Sequence, residues 1–304
     1  MNIKNPLPIK NIGDPYVLRV NETYYLYATS DFDGFYCWQS KDLSHWSNPV
    51  ICYESTGKSF GNCCFWAPEV YEFDHKFYMY YTAQWKKYEQ EELRIGVAVS
   101  DYPEGPFEEV YDQKPMFDFN YGVLDAHLLK DDKANYLYYS RAGANHYVDG
   151  IQQSEIYVVK LGDDYCSVVG EAKKLLVPEQ EWEKAEPDLK QRWNEGAFVV
   201  KHQDKYHMMY SANHYQSGFY GIGAAVADQP MGPFKKYANN PILKTNGKIS
   251  GPGHNSVVAT PEGELYCVYH AHTDYQKKGG DRQVYLSRLF FDQGKLVVEY
   301  PECN

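Results

Sequence analysis

Short tyrosine-rich segments punctuate the chain, and their apolar and polar positions alternate with the period of two that a half-buried strand requires. YYLYATS at 24, FYMYYTA at 77, YLYYSRA at 136, YHMMYSA at 206 and LYCVYHA at 265 each run apolar and close on small or hydroxyl residues. Upstream of each, one polar residue opens another apolar strand: GDPYVL at Asp14, APEVYEF at Glu69, LDAHLL at Asp125, NEGAFVV at Glu195 and GHNSVVA at His254. A third strand follows each pair, as in GFYCWQS, RIGVAVS, EIYVVKL, GIGAAVA and VYLSRLFF. The second and fourth of these lead into D-x-P-x-G-P-F, from Asp101 to Phe107 and from Asp228 to Phe234, which reads as one turn used twice. Five units of this kind, each closed by a last strand, predict an all-β chain folded as a five-bladed β-propeller. The blades open near 14, 69, 125, 195 and 254 and fill residues 1–304 as a single domain. The longest interval holds PEQEWEKAEPDLKQRW, residues 178–193, which is charged, carries Pro187 and reads as an inserted loop with a short helix.

In a propeller the first strand of each blade lines the central channel, so the five openers should meet at one mouth. Asp14 alone, between a Gly and a Pro, is an ordinary turn residue. Grouped with Glu69, Asp125, Glu195 and His254 it becomes a candidate for chemistry. Carboxylates crowded together repel and lose hydration, which is poor packing but useful in a site.

Composition narrows the partners. Tyrosine occurs 30 times and aromatic residues make up 16% of the chain, which suits pleated, half-buried surfaces and also sugar stacking. The formal charge is −11, and no Lys/Arg stripe is present to meet a phosphate backbone, so nucleic acid is excluded as a partner. A neutral small ligand fits this surface better. No run is long enough to span a membrane, and MNIKNPLPIKNIGDP has no apolar signal-peptide region. Cys37, Cys52, Cys63, Cys64, Cys166, Cys267 and Cys303 are odd in number and include no C-x-x-C pair, which predicts reduced packing thiols and no structural zinc. These features together point to the cytoplasm. Oligomeric state is left open.

Taken in order, G-D-P-Y-V at Asp14, F-W-A-P-E-V at Trp66 to Val70, V-L-D-A-H at Asp125, N-E-G-A-F at Glu195 and G-P-G-H-N-S at His254 resemble glycoside hydrolase family 43 over nearly the whole chain. That resemblance implies an inverting glycosidase acting on arabinose- and xylose-containing glycans, with Asp14 as general base, Glu195 as general acid and Asp125 tuning the acid. Inversion requires one carboxylate to activate water and one carboxylic acid to protonate the leaving oxygen, roughly 6.5–9.5 Å apart. The resemblance also implies that an Arg of the last blade, Arg282 or its rival Arg288, reaches sugar hydroxyls. Trp66 is expected to stack on the sugar. Glu69 stands where the family often has Asp, so it is read as a residue either of the channel or of the layer behind the site. His254 is similar to a residue that touches a hydrated central cation, which makes calcium a possible cofactor; no organic cofactor is implied. An imidazole would be an unusual partner for an ion that prefers oxygen.

The expected substrate is a small oligosaccharide cut from its end, releasing α-L-arabinofuranose and β-D-xylopyranose. The insertion at 178–193 and the loops at 84–93 and 145–154 are placed to wall the mouth. An endo-arabinanase with an open cleft is the main alternative. A non-catalytic sugar-binding propeller is disfavoured because all three carboxylates are present. A retaining fructosidase is disfavoured because its W-M-N-D-P-N-G opener and R-D-P motif are absent.

Overall fold

The computed structural model describes residues 3–88, 92–185, 190–274, 276 and 281–302, so Pro187 of the insertion and Cys303 lie outside the described residues. The described chain is all-β apart from one short 3-10 turn at Glu181–Lys184, inside the segment where the sequence predicts a short helix. Among the described residues no helix is long and apolar enough to cross a membrane. Cys37, Cys52, Cys166 and Cys267 are buried and reduced.

The strands form successive antiparallel sheets, each laid down in chain order. The first contains β1 (Gly13–Val20), β2 (Thr23–Thr29), β3 (Gly34–Ser40) and β4 (Val50–Glu54). The second contains β5 (Trp66–Phe73), β6 (Lys76–Gln84), β7 (Leu93–Ser100) and β8 (Glu108–Glu109). In the third, β9 (Val123–Lys130) and β10 (Asn135–Arg141) are separated in sequence from β13 (Glu155–Leu161) and β14 (Val168–Leu176) by a hairpin, β11 (Tyr147–Val148) and β12 (Ile151–Gln153). That hairpin pairs in parallel with β15 (Gln191–Arg192) to make a small separate sheet. The fourth sheet contains β16 (Asn194–His202), β17 (Lys205–Ala212), β18 (Gly221–Ala227) and β19 (Lys235–Lys236), with β20 (Leu243–Lys244) also on β18. The fifth contains β21 (Gly253–Ala259), β22 (Leu265–His272), β23 (Arg282–Asp292) and β24 (Lys295–Val298).

The first strands of these sheets touch in cyclic order, β1 to β5 to β9 to β16 to β21 and back to β1. The start of the chain reinforces the closure. Leu7 and Ile12 donate backbone N–H groups to Val284 and Arg282 of β23, and the Asn5 side chain exchanges hydrogen bonds with Leu286. The buried tyrosines tie sheets together through their hydroxyls. Tyr27 donates to Pro103 O at 2.5 Å and Tyr138 to Pro230 O at 2.7 Å, so each D-x-P-x-G-P-F turn is pinned by a tyrosine of the preceding sheet.

One irregularity recurs in every first strand. Register slips between Gly13 and Tyr16, Trp66 and Glu69, Leu124 and His127, Glu195 and Phe198, and Gly253 and Ser256. At each bulge one residue has positive φ: Asp14 at 52°, Ala67 at 48°, Asp125 at 59°, Gly196 at 57° and His254 at 45°. An extra residue in a strand bends it and re-aims a side chain. Four of these five are not glycine, so the surroundings must hold the strained backbone. They do so with a hydrogen bond to each bulged N–H from the end of a neighbouring second strand or from the site itself. Asp14 N–H donates to His270, Ala67 to Thr29, Asp125 to Thr82, His254 to Ser211, and Gly196 to the Asp125 carboxylate.

The bulges correct the expected ring of openers. The equivalent positions are Asp14, Ala67, Asp125, Gly196 and His254, so Glu69 lies two residues further along its strand and Glu195 one residue before its bulge. The period-two pattern carries no mark of an inserted residue, and the sequence alignment therefore slipped on those two strands.

Candidate active site

Asp14, Trp66, Asp125, Glu195, His254 and Arg282 all line one cavity of about 500 Å³. Three of the five bulges aim Asp14, Asp125 and His254 into it, and the fourth supplies Glu195 from the residue just before Gly196.

Asp14 is crowded by donors. Its Oδ2 accepts from Thr29 Oγ1 at 2.6 Å, and its Oδ1 accepts from Arg282 Nη1 at 3.1 Å and faces His254 Nδ1 at 3.3 Å. Burial alone would raise its proton affinity, but His254, Arg282 and the Thr29 hydroxyl outweigh it and hold the carboxyl far below the usual range. The Arg282 guanidinium lies over the Tyr215 ring at 4.6 Å and flat against Gly13, where a Cβ would stand 2.1 Å from its carbon. Only glycine leaves that space.

Glu195 has the opposite environment. Among the described residues its side chain is met by Tyr220 Oη, which donates to Oε1 at 2.8 Å. Burial and the nearby Asp125 carboxylate push its pKa up to about 8. Asp125 accepts from Gly196 N at 3.1 Å and Ser140 Oγ at 3.5 Å, and burial raises it to about 6 against the pull of His254. Burial disfavours charge on His254, yet Asp14, Asp125 and Glu195 outweigh it and raise its affinity for a proton. His270, behind the cavity wall, is held neutral by burial and by Arg282; its Nδ1 lone pair takes the Asp14 N–H.

Glu69 is absent from the cavity lining. It belongs to a deeper layer, where its carboxylate accepts from Tyr71 and meets His127 Nδ1 at 3.0 Å. Because His127 Nε2 accepts from Val199 N–H, the proton sits on Nδ1 and is donated to Glu69. Arg288 points away, 56% exposed, toward Glu264. Several lining residues carried no distinguishing signal in the sequence: Tyr215, Tyr220 and Trp193 stand in irregular segments among many other aromatics. Thr29 did carry one, as the hydroxyl residue that closes a tyrosine-rich strand.

Among the described residues no group of three His, Cys, Asp or Glu side chains is arranged to hold a metal. A calcium ion at His254 would find one imidazole and would have to displace a proton that the Asp14 and Asp125 carboxylates favour. The residues do not fit that ion, which prefers several oxygen ligands.

Residues 3–296 match the family model described as "Glycosyl hydrolases family 43". A solved structure described as a thermostable family-43 glycoside hydrolase is 42% identical, with TM-score 0.93, covering 100% of this chain and 97% of that one. Another, described as an endo-1,4-beta-xylanase from Bacteroides thetaiotaomicron, is 32% identical with TM-score 0.82 and covers 96% of each chain. The "Xylosidase/arabinosidase 43A" of Humicola insolens is 30% identical over 78% of this chain and 75% of its own. Matches at lower identity bear the names of a beta-D-galactofuranosidase, an endo-alpha-(1->5)-L-arabinanase and a beta-xylosidase.

Proposed function

Because the chain belongs to glycosyl hydrolase family 43, we propose that it is an inverting, exo-acting glycosidase releasing terminal α-L-arabinofuranose and β-D-xylopyranose from small oligosaccharides. The five larger sheets are then the blades of one propeller domain, with the cavity at the mouth of the axis. The observation that carries the reading is the contrast between two carboxyl groups facing the same cavity. Asp14 is held ionised and Glu195 holds its proton to about pH 8. An inverting glycosidase needs that pair: a base to take a proton from water and an acid to give one to the leaving oxygen.

In this scheme Arg282 and Thr29 keep Asp14 ionised and oriented. Asp125 supplies the repulsion that keeps Glu195 protonated. Trp66, half-buried in the lining, offers an apolar face to the sugar. The pentose preference is supported by the relative named xylosidase/arabinosidase. Exo action is supported by the wall that the small sheet and the segment after it raise around the cavity, where Gln152, Ser154, Gln191 and Trp193 join the lining. No step passes through a metal.

Proton NMR of the first sugar released from an aryl pentoside tests the inversion. The product anomer should be opposite to that of the substrate. Retained configuration would mean a covalent intermediate, and Asp14 could not be the base.

A further inference from the structure

Tyr220 is buried between the two sides of the site. It precedes β18, is 1% exposed, and its backbone N–H donates to Ser217 O at 3.1 Å. One face of the ring is stacked on His270, with centroids 5.7 Å apart and planes at 6°. Gly253 also abuts the ring, and a Cβ there would fall 2.0 Å from a ring carbon. His270 in turn accepts the Asp14 N–H. The ring is therefore clamped, and its hydroxyl is delivered to Glu195 Oε1 at 2.8 Å.

We propose that Tyr220 is a positioning residue for the reaction's acid: its hydroxyl fixes the Glu195 carboxyl group and confines the transferable proton to Oε2. The inference rests on the reading of Glu195 as the acid. An oxygen that accepts a hydrogen bond from a phenol is the poorer place for a carboxylic proton, so the proton resides on the other oxygen. Burial holds the Tyr220 phenol well above its ordinary range, so it remains a donor throughout the working pH range. A glutamate on a bulged strand has torsional freedom that would blur the position of its proton. A clamped donor removes that freedom, and catalysis is sensitive to such placement.

The same bond makes a pH effect that simple packing would not. The groups that act on Glu195 are Asp125 from β9, Asp14 from β1, His254 from β21 and Tyr220 itself. The two carboxylates favour its protonated form, whereas His254 and the Tyr220 hydroxyl favour the ionised form. Removing the hydroxyl leaves Glu195 holding its proton more tightly, so the alkaline limb of kcat/KM must move to higher pH.

The test is Tyr220→Phe, which keeps the ring and its stack on His270. It is assayed across pH on the 4-nitrophenyl and methyl glycosides of the accepted pentose, beside Glu195→Ala. A melting curve confirms that the variant is folded. The methyl glycoside, whose leaving group needs the proton, should lose at least about 10-fold in kcat/KM, while the nitrophenyl glycoside should lose much less. The alkaline limb should shift upward. Equal losses on both substrates with an unmoved limb would overturn the proposal. If Glu195→Ala shows the leaving-group contrast and Tyr220→Phe does not, only the role of Tyr220 falls. If Glu195→Ala itself loses both substrates equally, the acid assignment falls, and the role of Tyr220 falls with it.

Discussion

Asp14 and Glu195 face one cavity but answer to different neighbours. Asp14 is bonded by a guanidinium and a hydroxyl and faces an imidazole, whereas Glu195 is acted on most strongly by the Asp125 carboxylate and accepts from the Tyr220 phenol. Asp125 is the lever between them. Near pH 7 it is mostly ionised, and its charge raises Glu195. Asp125→Asn keeps acceptors for the Gly196 and Ser140 donors but removes that charge. Glu195 should then lose its proton at lower pH, so the alkaline limb of kcat/KM should move down from the region of pH 8. An unmoved limb would remove Asp125 from the tuning role. At this scale the sequence was informative where a polar residue opened a strand. Asp14, Asp125 and His254 are conspicuous against apolar neighbours, and all three reach the cavity. Tyr220 was illegible because it is one tyrosine among 30, and what distinguishes it is a hydroxyl on Glu195 of its own sheet and a stack on His270 of the next.

Each first strand combines a bulge, a residue at positive φ and a hydrogen bond to the bulged N–H, and this combination is what turns a strand opening into part of a site. The hydroxyls of Thr29, Thr82 and Ser211 were visible as a recurrent strand ending, but their purpose as bulge partners was not. Glu69 does not join the ring of openers, for the reason that the bulge hides: a slip of two residues along β5 puts the side chain in the layer of His127 and Tyr71, the second of the two places the sequence offered. The insertion shows how an element outside the repeat is tied to the site. Lys236 Nζ, 3% exposed, donates to Glu183 at 2.6 Å and to Asn194 at 3.0 Å, and Asn194 directly precedes Glu195. Burial lowers the Lys236 pKa, which the Glu183 carboxylate partly restores. Lys236→Met should cost about 3 kcal/mol or more, because it leaves Glu183 buried without its cation. Chemical denaturation reads this as a lower midpoint. Arg288→Met, at an exposed pair, should change stability by less than about 0.5 kcal/mol. Similar midpoints for the two variants would contradict the anchoring role.

Cyclic contact among the first strands brings side chains from distant parts of the chain to one mouth, and the N-terminal segment paired with β23 fastens the last sheet to the first. The repeat of tyrosine-rich strands made this architecture legible, because a unit that cannot bury its own faces must stack on its neighbours. The small sheet of β11, β12 and β15 was not legible. Its strands are two or three residues long, and β12 meets β15 across a long stretch of chain. Yet that sheet sends Gln152 and Gln191 to the cavity wall, and the proposed exo action rests on that wall. Linear arabinan and arabinoxylo-oligosaccharides should therefore yield monosaccharide from the first minutes of digestion. An early ladder of oligomers without monosaccharide, seen by chromatography, would assign an open-cleft endo enzyme instead.

The most direct test of the whole account compares leaving groups in two variants. Glu195→Ala should lose about 10²–10⁴-fold on a glycoside with an alkyl leaving group and retain far more activity on one with a nitrophenolate, which departs without a proton. Asp14→Ala should be nearly inactive on both, since neither reaction proceeds without an activated water. Equal inactivity of Glu195→Ala on the two substrates, or a leaving-group contrast in Asp14→Ala, would contradict the assignment of acid and base.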